Sequence, residues 1–190
     1  MKKKYELTEE TLEIDGHVLH RIIALRSFGE VKEGELGGWI EKESNLSHEG
    51  DCWIYNDAVV YGDAKVCGNA DVYGKAKVYG NAEVYGEAIV YGEAEVCGNA
   101  MVCGDAIVYG NAKVCGDAKV EKKSDYIVFK NWWSNGRYFT WTRSNDMWIV
   151  GCFYGTGEEL IKKAYNDSEE KGREYERIVR YVESIKSEIK

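Results

Sequence analysis

The middle of the chain repeats a six-residue pattern of hydrophobic and polar positions. From Ile54 to Lys119, eleven consecutive units read close to Val-(Tyr/Cys)-Gly-(Asn/Asp/Glu)-Ala-x. A period of six fits no helix, but it fits short strands joined by tight turns. The alanine and the valine of each unit are two positions apart, so both are expected to point to the same side of a strand. The pattern therefore predicts a coil of short strands with a narrow alanine–valine interior and corners formed at the glycines.

The repeat resembles the hexapeptide-repeat, left-handed parallel β-helix family. In that family three hexads form one triangular coil, which implies about 18 residues a coil. The same phase continues backwards through Cys52, Leu46 and Ile40, and we therefore start the coils near Leu36. The expected fold is mainly β, with a β-helix of between four and five coils at residues 36–120.

Residues 1–35 are predicted to form an N-terminal β-hairpin cap. Two apolar runs, Leu12–Ile14 and Val18–Leu19, flank Asp15-Gly16, a pair that favours a two-residue turn. A cap is expected because the end of a coil would otherwise expose unpaired strand edges. The stretch from Leu19 to Ser47 is also similar to the entry region of hexapeptide-repeat proteins borne by bacteriophages and prophages.

Residues 121–190 are predicted to form a small α+β domain. Three strands, 125–130, 136–142 and 147–153, are separated by Asn- and Ser-rich turns and suggest an antiparallel meander. A capping box at residues 156–159 opens a first helix, and residues 170–189 carry an apolar stripe at helical spacing.

The outward positions of the repeat sort into three faces at an 18-residue spacing. Two faces alternate in charge sign, as Lys77, Glu95 and Lys113 do, which is typical of solvated β surfaces. The third, here called the tyrosine face, has one charge, Asp71, and an unbroken ladder of tyrosines. Contiguous apolar surface favours an interface, with another subunit or with the C-terminal segment; the alternative is an exposed ladder that stabilises its sheet. The predicted oligomer interface consists of Trp53, Tyr55, Tyr73, Ile89, Tyr91, Ile107 and Tyr109.

The resemblance implies a homo-oligomer, with a trimer as the expected form. The charge of the chain, a net −8, limits the kinds of ligand and partner that it can bind. Residues 36–119 hold 13 acidic and 6 basic side chains, which argues against binding of duplex DNA. No apolar run is long enough to cross a membrane, and the polar residues after Met1 do not form a signal peptide. A cytoplasmic location, in the host bacterium, is therefore expected.

The six cysteines show no metal-ligand spacing and are interpreted as small hydrophobic residues. Cys97 and Cys115 lie one coil apart on the same face. Parallel side-chain vectors on a flat sheet favour free thiols over a disulfide. No metal site and no cofactor are predicted.

Residues 126–153 combine aromatic rings with three cations and one carboxylate. Rings can stack on a flat ligand, and an arginine can hold a phosphate through two hydrogen bonds. The start of the following helix adds backbone N–H groups that suit an anion. The alternative is that the aromatic side chains form a small core against the helices. The predicted ligand-binding residues are Trp132, Trp133, Arg137, Tyr138, Trp141 and Arg143.

The resemblance also implies two possible activities, acyl transfer from acyl-CoA and zinc-dependent carbonic anhydrase activity. Both depend on histidines in or beside the coils. Here the histidines are His17, His20 and His48, and the repeat has none. The sequence therefore predicts that the protein is not an enzyme and has no catalytic residue. A CoA-dependent acyltransferase with His48 as the base stays as an alternative.

The function expected from these patterns is that of a phage-type, non-catalytic binding protein. Its β-helix would be an oligomeric scaffold, and its aromatic and basic segment would sequester a nucleotide-like signalling molecule of host defence. A second hypothesis is an inhibitor or assembly factor that binds a host protein.

Overall fold

A computed structural model describes residues 3–131 and 136–188 of the chain. The chain divides into two compact units, Met1–Lys123 and Ser124–Lys190. It is mainly β, with a parallel β-solenoid of about five turns and two C-terminal helices, so the predicted fold class is confirmed.

The first unit begins with three longer strands, β1 (Tyr5–Ile14), β2 (His17–Ala24) and β3 (Leu36–Ile40). A short 3-10 turn, Glu43–Asn45, follows them, and another, Lys123–Asp125, follows the last coil. The remaining strands of this unit have two residues each: β4 (Trp53–Ile54), β5 (Val59–Val60), β6 (Lys65–Val66), β7 (Asp71–Val72), β8 (Lys77–Val78), β9 (Glu83–Val84), β10 (Ile89–Val90), β11 (Glu95–Val96), β12 (Met101–Val102), β13 (Ile107–Val108), β14 (Lys113–Val114) and β15 (Lys119–Val120).

The predicted N-terminal hairpin is present. Strands β1 and β2 pair antiparallel and turn at Asp15 and Gly16, which both have positive φ, as a two-residue hairpin turn requires. Strand β3 pairs antiparallel with β2 and parallel with β5, so the hairpin extends one face of the solenoid into a seven-stranded sheet. The hairpin therefore covers the strand edge at the start of that sheet.

The interior of the solenoid is formed by the alanine and valine ladders that the repeat predicts. Ala88 and Val90 are fully buried, and the same holds for nearly every alanine and valine at these two phases. Parallel pairing aligns residues 18 apart, as with Ile89 and Ile107, and the backbone N–H of Ile89 donates to the carbonyl of Ala106 at 2.9 Å.

Polar side chains form ladders outside this core. At one corner the Asn81 amide donates to Asn99 Oδ1 at 3.0 Å, and the Asn99 amide donates to Asp117 Oδ1 at 2.9 Å. On a charge-alternating face, Lys113 pairs with Glu95 at 2.8 Å. Opposite charges one coil apart therefore stabilise the pairing of adjacent coils. Both side chains of this pair are partly exposed.

The expectation of free thiols at Cys97 and Cys115 was wrong, because the two residues form a disulfide. Parallel pairing sets their Cα atoms 4.5 Å apart, within the range that a disulfide spans. The predicted obstacle, parallel side-chain vectors, is thus overcome by the short distance between adjacent coils. The free cysteines are Cys52, Cys67, Cys103 and Cys152.

The second unit has a four-stranded antiparallel sheet in sequence order, where the sequence predicts three strands. The predicted third strand is divided by a turn at Gly151, which has positive φ and lets the chain reverse into one more strand. The strands are β16 (Tyr126–Lys130), β17 (Tyr138–Thr142), β18 (Met147–Val150) and β19 (Phe153–Gly155).

Two helices follow, α1 (Gly157–Asp167) and α2 (Glu169–Ile185). The predicted capping box is confirmed, since Thr156 Oγ1 accepts from the Glu159 N–H and the Glu159 carboxylate accepts from the Thr156 N–H. Ser168 ends α1 and caps α2. The core between sheet and helices comprises Phe139, Trp141, Trp148, Val150, Leu160, Ile161, Ala164, Tyr175, Val179 and Val182.

Candidate functional site

The second unit carries a pocket with an excess of positive charge, here called the basic pocket. Three cationic side chains line it, Arg137 before β17, Lys163 on α1 and Lys171 on α2. Its remaining wall is formed by Val150, Phe153, Leu160, Ala164, Asp167 and Tyr175.

The lining of the basic pocket holds three cations and one carboxylate. Lys171 pairs with Asp167 and lies 5.5 Å from the centre of the Tyr175 ring. The Lys171 ammonium lowers the pKa of the Asp167 carboxyl, and Lys163 and Arg137 add to this effect. Three cations against one carboxylate give the lining a net charge of +2 around a space of about 30 Å³, an arrangement that suits a small anionic group such as a phosphate.

Arg137 lies across the turn that separates β18 from β19. A Cβ atom added at Gly151 would lie 3.6 Å from the guanidinium carbon of Arg137, so the guanidinium packs directly over the backbone there. The glycine that divides the predicted strand therefore also provides the surface on which the arginine lies.

A second concave site of this unit, here called the indole cleft, has a volume of about 190 Å³. Two core tryptophans, the start of α1 and the C-terminal part of α2 line it. The lining residues are Trp141, Asn145, Asp146, Trp148, Thr156, Gly157, Glu158, Val182 and Glu183.

The predicted ligand-binding residues do not form a single site. Arg137 lines the basic pocket, whereas Trp141 is 1% exposed and lines the indole cleft, with its Nε1 donating to Asp146 Oδ1 at 2.7 Å. Tyr138 is half-buried, and its ring centre lies 5.6 Å from the Lys130 ammonium. Arg143 is exposed and belongs to neither lining. The other two predicted residues, Trp132 and Trp133, lie outside the described residues.

Sequence reasoning missed the helical half of the basic pocket. Lys163 and Lys171 are ordinary surface lysines by sequence, and Tyr175 lies within residues 170–189, whose apolar stripe predicts only packing of the second helix. Only the packing of both helices against the sheet around one core brings them beside Arg137. No spacing in the sequence relates residue 137 to residues 163 and 171, so no local signal could have identified the group.

The tyrosine face differs along its length. Trp53, at its N-terminal end, is fully buried, because the rings of Phe28 and Tyr5 lie edge-on at 5.3 and 6.1 Å. Tyr91 and Tyr109, at the other end, stack on each other at 5.4 Å and remain 39% and 51% exposed. The segment before the first coil therefore covers one end of this face, while Tyr91 and Tyr109 are exposed at the other end.

Between these ends, two tyrosines and Asp71 form a polar cluster. The rings of Tyr55 and Tyr73 stack at 4.5 Å, and the Tyr73 hydroxyl donates to Asp71 Oδ2 at 2.8 Å. Burial raises the pKa of the Asp71 carboxyl, and it raises the pKa of Tyr55 to about 12. Ile89 and Ile107 continue the row of Asp71 along the face and are half-buried.

His48 does not have the geometry of a general base. Its ring stacks on Tyr5 at 4.4 Å, and its Nδ1 accepts from the Lys4 backbone N–H at 3.3 Å. Its Nε2 is buried and has no hydrogen-bond partner among the described residues, and burial lowers the pKa of the ring. His17 pairs with Glu41 at 2.9 Å, and His20 lies 3.2 Å from the Thr8 carbonyl.

Residues 3–131 and 136–188 contain neither a metal-ligand cluster nor a membrane-spanning helix. No group of three or more His, Cys, Asp or Glu side chains there could hold a metal ion. Neither helix of these ranges has both the length and the apolar character needed to cross a membrane.

Comparison with known proteins identifies similarity in the repeat region. A family model described as the YdcK beta solenoid repeat matches residues 94–110. The uncharacterized acetyltransferase YdcK of Escherichia coli (strain K12) is 39% identical over 66 aligned residues, which cover 30% of this chain and 20% of that protein. The chain thus spans about a fifth of the length of this curated relative.

The expectation that the protein is not an enzyme is contradicted by this comparison, because the relative carries the name of an acetyltransferase. That expectation was based on the absence of histidines from the repeat. A repeat without histidines is therefore not sufficient evidence to exclude acetyltransferase activity. The solenoid of this chain is a β-helix repeat similar to that of YdcK, as the family model over residues 94–110 shows.

Proposed function

We propose that the protein binds a nucleotide-like ligand, with a phosphate of that ligand held in the basic pocket. The observation that carries the proposal is the convergence of Arg137, Lys163 and Lys171 on one pocket that also has an aromatic wall. Guanidinium and ammonium groups bind phosphate oxygens through charge-assisted hydrogen bonds. The rest of the ligand would extend outside the pocket, because the Tyr175 ring in its wall is only 3% exposed.

The proposed ligand class includes signalling nucleotides of host defence. In a phage-borne protein, tight binding of such a molecule would lower its free concentration in the infected cell. The solenoid would supply the rigid support, with its exposed tyrosines joining the chains of a homotrimer. The resemblance of residues 19–47 to phage-borne repeat proteins supports this form of the proposal.

Acyl transfer from acetyl-CoA is the second candidate, favoured by the name of the E. coli relative. Coenzyme A is itself an adenine nucleotide with several phosphates, so the basic pocket would suit it for the same reasons. The two candidates therefore share their ligand chemistry and differ in turnover.

Isothermal titration calorimetry with a cyclic dinucleotide, ADP-ribose and acetyl-CoA tests the proposal. We expect at least one of the three to bind, and Arg137→Gln to weaken that binding at least tenfold. Arg143→Gln is the matched control, because Arg143 is exposed and does not line the pocket. Failure of all three ligands to bind, or equal affinity of the wild type and Arg137→Gln, contradicts the proposal.

An assay of catalytic turnover distinguishes acyl transfer from sequestration of a nucleotide. The protein is incubated with acetyl-CoA and a mixture of amine and hydroxyl acceptors, and CoA release is followed by chromatography. Release above the rate without protein favours acyl transfer; binding of a cyclic dinucleotide or ADP-ribose without such release favours sequestration.

A further inference from the structure

The basic pocket has room for one small group and not for a whole nucleotide. Its space is about 30 Å³, and roughly 10–15 Å³ of such space holds one water molecule. Four of its nine lining residues belong to the buried core of this unit, and each of the four is at most 3% exposed: Val150, Leu160, Ala164 and Tyr175. A bound group therefore meets core side chains at its inner end, and the rest of the ligand extends outside.

The three cations of the pocket come from three separate elements. Arg137 precedes β17 and packs over the turn at Gly151. Lys163 lies on α1, and Lys171 lies on the first turn of α2, where its backbone N–H donates to the N-cap Ser168 at 3.2 Å. Because each backbone position is fixed by its own packed element, the fold brings the three charges together before a ligand binds.

The net charge of +2 in the lining is constant around neutral pH. The Lys171 ammonium lowers the pKa of the Asp167 carboxyl, so this group stays ionised. Lysine and arginine side chains keep their charge in this range, and tyrosine is neutral. None of the nine described lining residues is a histidine, the side chain that ordinarily titrates between pH 5 and 8. A pH dependence of binding in this range therefore reports on the ligand.

Phosphate groups differ in charge and in their number of ester bonds. A phosphomonoester carries a charge of about −2 at pH 7, since its second pKa is about 6, and it has three free oxygens. A phosphodiester carries one negative charge, has two free oxygens and bears carbon substituents on two sides. The monoester therefore matches the net charge of the lining and offers one oxygen to each of the three cations. It also needs only one way out of the pocket, whereas a diester needs two.

We propose that the basic pocket selects the terminal phosphate of a phosphomonoester over a phosphodiester. This inference rests on the proposed nucleotide-like ligand and narrows its class to a linear nucleotide that ends in a phosphate. Arg137, Lys163 and Lys171 donate to the three terminal oxygens, and the ester oxygen points out of the pocket. A cyclic nucleotide fits poorly, because each of its phosphates is a diester with one charge.

Calorimetry with two pairs of ligands tests this selection. AMP is paired with 3′,5′-cyclic AMP, which has the same base and sugar but a diester. Acetyl-CoA is paired with its 3′-dephospho form, which lacks the one monoester of that molecule. We expect the monoester of at least one pair to bind with a Kd below about 1 mM, and its partner to bind at least tenfold more weakly. Inorganic phosphate should compete with the bound monoester.

A charge variant on an exposed position locates the selection in the pocket. Lys163→Gln lowers the net charge of the lining to +1, and the exposure of Lys163 makes a loss of fold unexpected. We expect this variant to bind the monoester at least fivefold more weakly and to bind the diester within twofold of the wild type. Lys163→Arg keeps the charge and should retain the affinity for the monoester. Lys162→Gln is the matched control, because Lys162 is exposed and does not line the pocket.

The titration of the ligand gives an independent measurement. The dianion of the monoester takes up a proton near pH 6, so its charge no longer matches the lining below that pH. We expect the affinity for the monoester to fall at least threefold between pH 7.5 and pH 5. The affinity for the diester should stay constant, since neither the diester nor the lining changes its charge in this range.

The selection is refuted if neither monoester binds at 5 mM, or if the partner in each pair binds as tightly as the monoester. It is also refuted if Lys163→Gln leaves the preference for the monoester unchanged, or if the affinity for the monoester is the same at pH 7.5 and pH 5. The proposed function fails separately. A cyclic dinucleotide or ADP-ribose that binds, and binds more weakly to Arg137→Gln, supports a nucleotide-binding protein; if neither monoester binds, the same result refutes the selection.

Discussion

At the scale of single residues, the solenoid depends on glycines at its corners. Gly86 and Gly110 both have positive φ, at 76° and 67°, a conformation that costs an alanine about 1–2 kcal/mol. They differ in what surrounds them. A Cβ atom at Gly86 would lie 3.0 Å from the backbone nitrogen of Gly104 in the next coil, whereas one at Gly110 would meet no atom within 4 Å.

This difference makes the two glycines a matched pair. We expect Gly110→Ala to lower the free energy of unfolding by about 1 kcal/mol, and Gly86→Ala to lower it by at least about 1 kcal/mol more, because the coils must also separate. Urea denaturation of both variants measures the difference. Equal losses would mean that the close approach of adjacent coils does not contribute to the requirement for glycine.

The surroundings of Asp71 disfavour the charged form of its carboxyl group. Burial raises its pKa even though the Tyr73 hydroxyl donates to it. A raised pKa means that the folded state binds the proton more tightly than the unfolded state does. Protonation of Asp71 therefore stabilises the fold below the unfolded pKa, and this contribution is lost as the pH rises through the folded pKa.

Asp71→Asn imitates the neutral form of the carboxyl. We expect this variant to have a higher Tm than the wild type at pH 7, and the two Tm values to converge below about pH 4, where the carboxyl is protonated. Scanning fluorimetry from pH 3 to pH 8 checks this, with the exposed Asp105→Asn as the control. A Tm difference that does not change with pH would contradict the assignment.

At the scale of elements, adjacent coils are joined by backbone hydrogen bonds, side-chain ladders and one covalent link. The disulfide between Cys97 and Cys115 connects β11 to β14 near the C-terminal end of the solenoid, across a separation of 18 residues. Closing a loop of that length restricts the unfolded chain by about 3 kcal/mol in the loop-entropy model.

Replacement of both disulfide cysteines by serine should therefore lower the free energy of unfolding by about 3 kcal/mol. Denaturation of the wild type in the presence of a reductant should give a similar loss, and the reductant should have no effect on the double variant. Cys152→Ser, at an exposed free thiol, is the control. A wild type that is insensitive to the reductant would contradict this account of its stability.

At the scale of the whole molecule, the exposed part of the tyrosine face is the surface that we propose for assembly into a trimer. Tyr91 and Tyr109 are exposed, and Ile89 and Ile107 extend the apolar row beside them. A row of apolar side chains on a flat sheet is more stable when it is buried against another copy of the same surface than when it is exposed to solvent.

The double variant Tyr91→Glu, Ile107→Glu should therefore dissociate the oligomer, because burying two carboxylates in an apolar contact is costly. Multi-angle light scattering measures the mass, and Met101→Glu on another face is the control. An unchanged mass together with unchanged thermal stability would refute the interface.

The sequence by itself determined the solenoid and the type of most elements around it. Each hexad carries its own alanine, valine and corner glycine, so every coil is specified by neighbouring residues and the fold follows from the local pattern. The hairpin at Asp15-Gly16 and the capping box of Thr156 and Glu159 are local in the same way, and both are present.

Only the tertiary structure decided which side chains share a site, because those contacts join residues distant in the chain. Arg137 meets Lys163 and Lys171 through the packing of two helices on a sheet, and Trp148 Nε1 meets the start of α1 because that helix begins beside β18. The same reason applies to the disulfide: both cysteines were visible in the sequence, but the 4.5 Å between their Cα atoms was set by the stacking of adjacent coils.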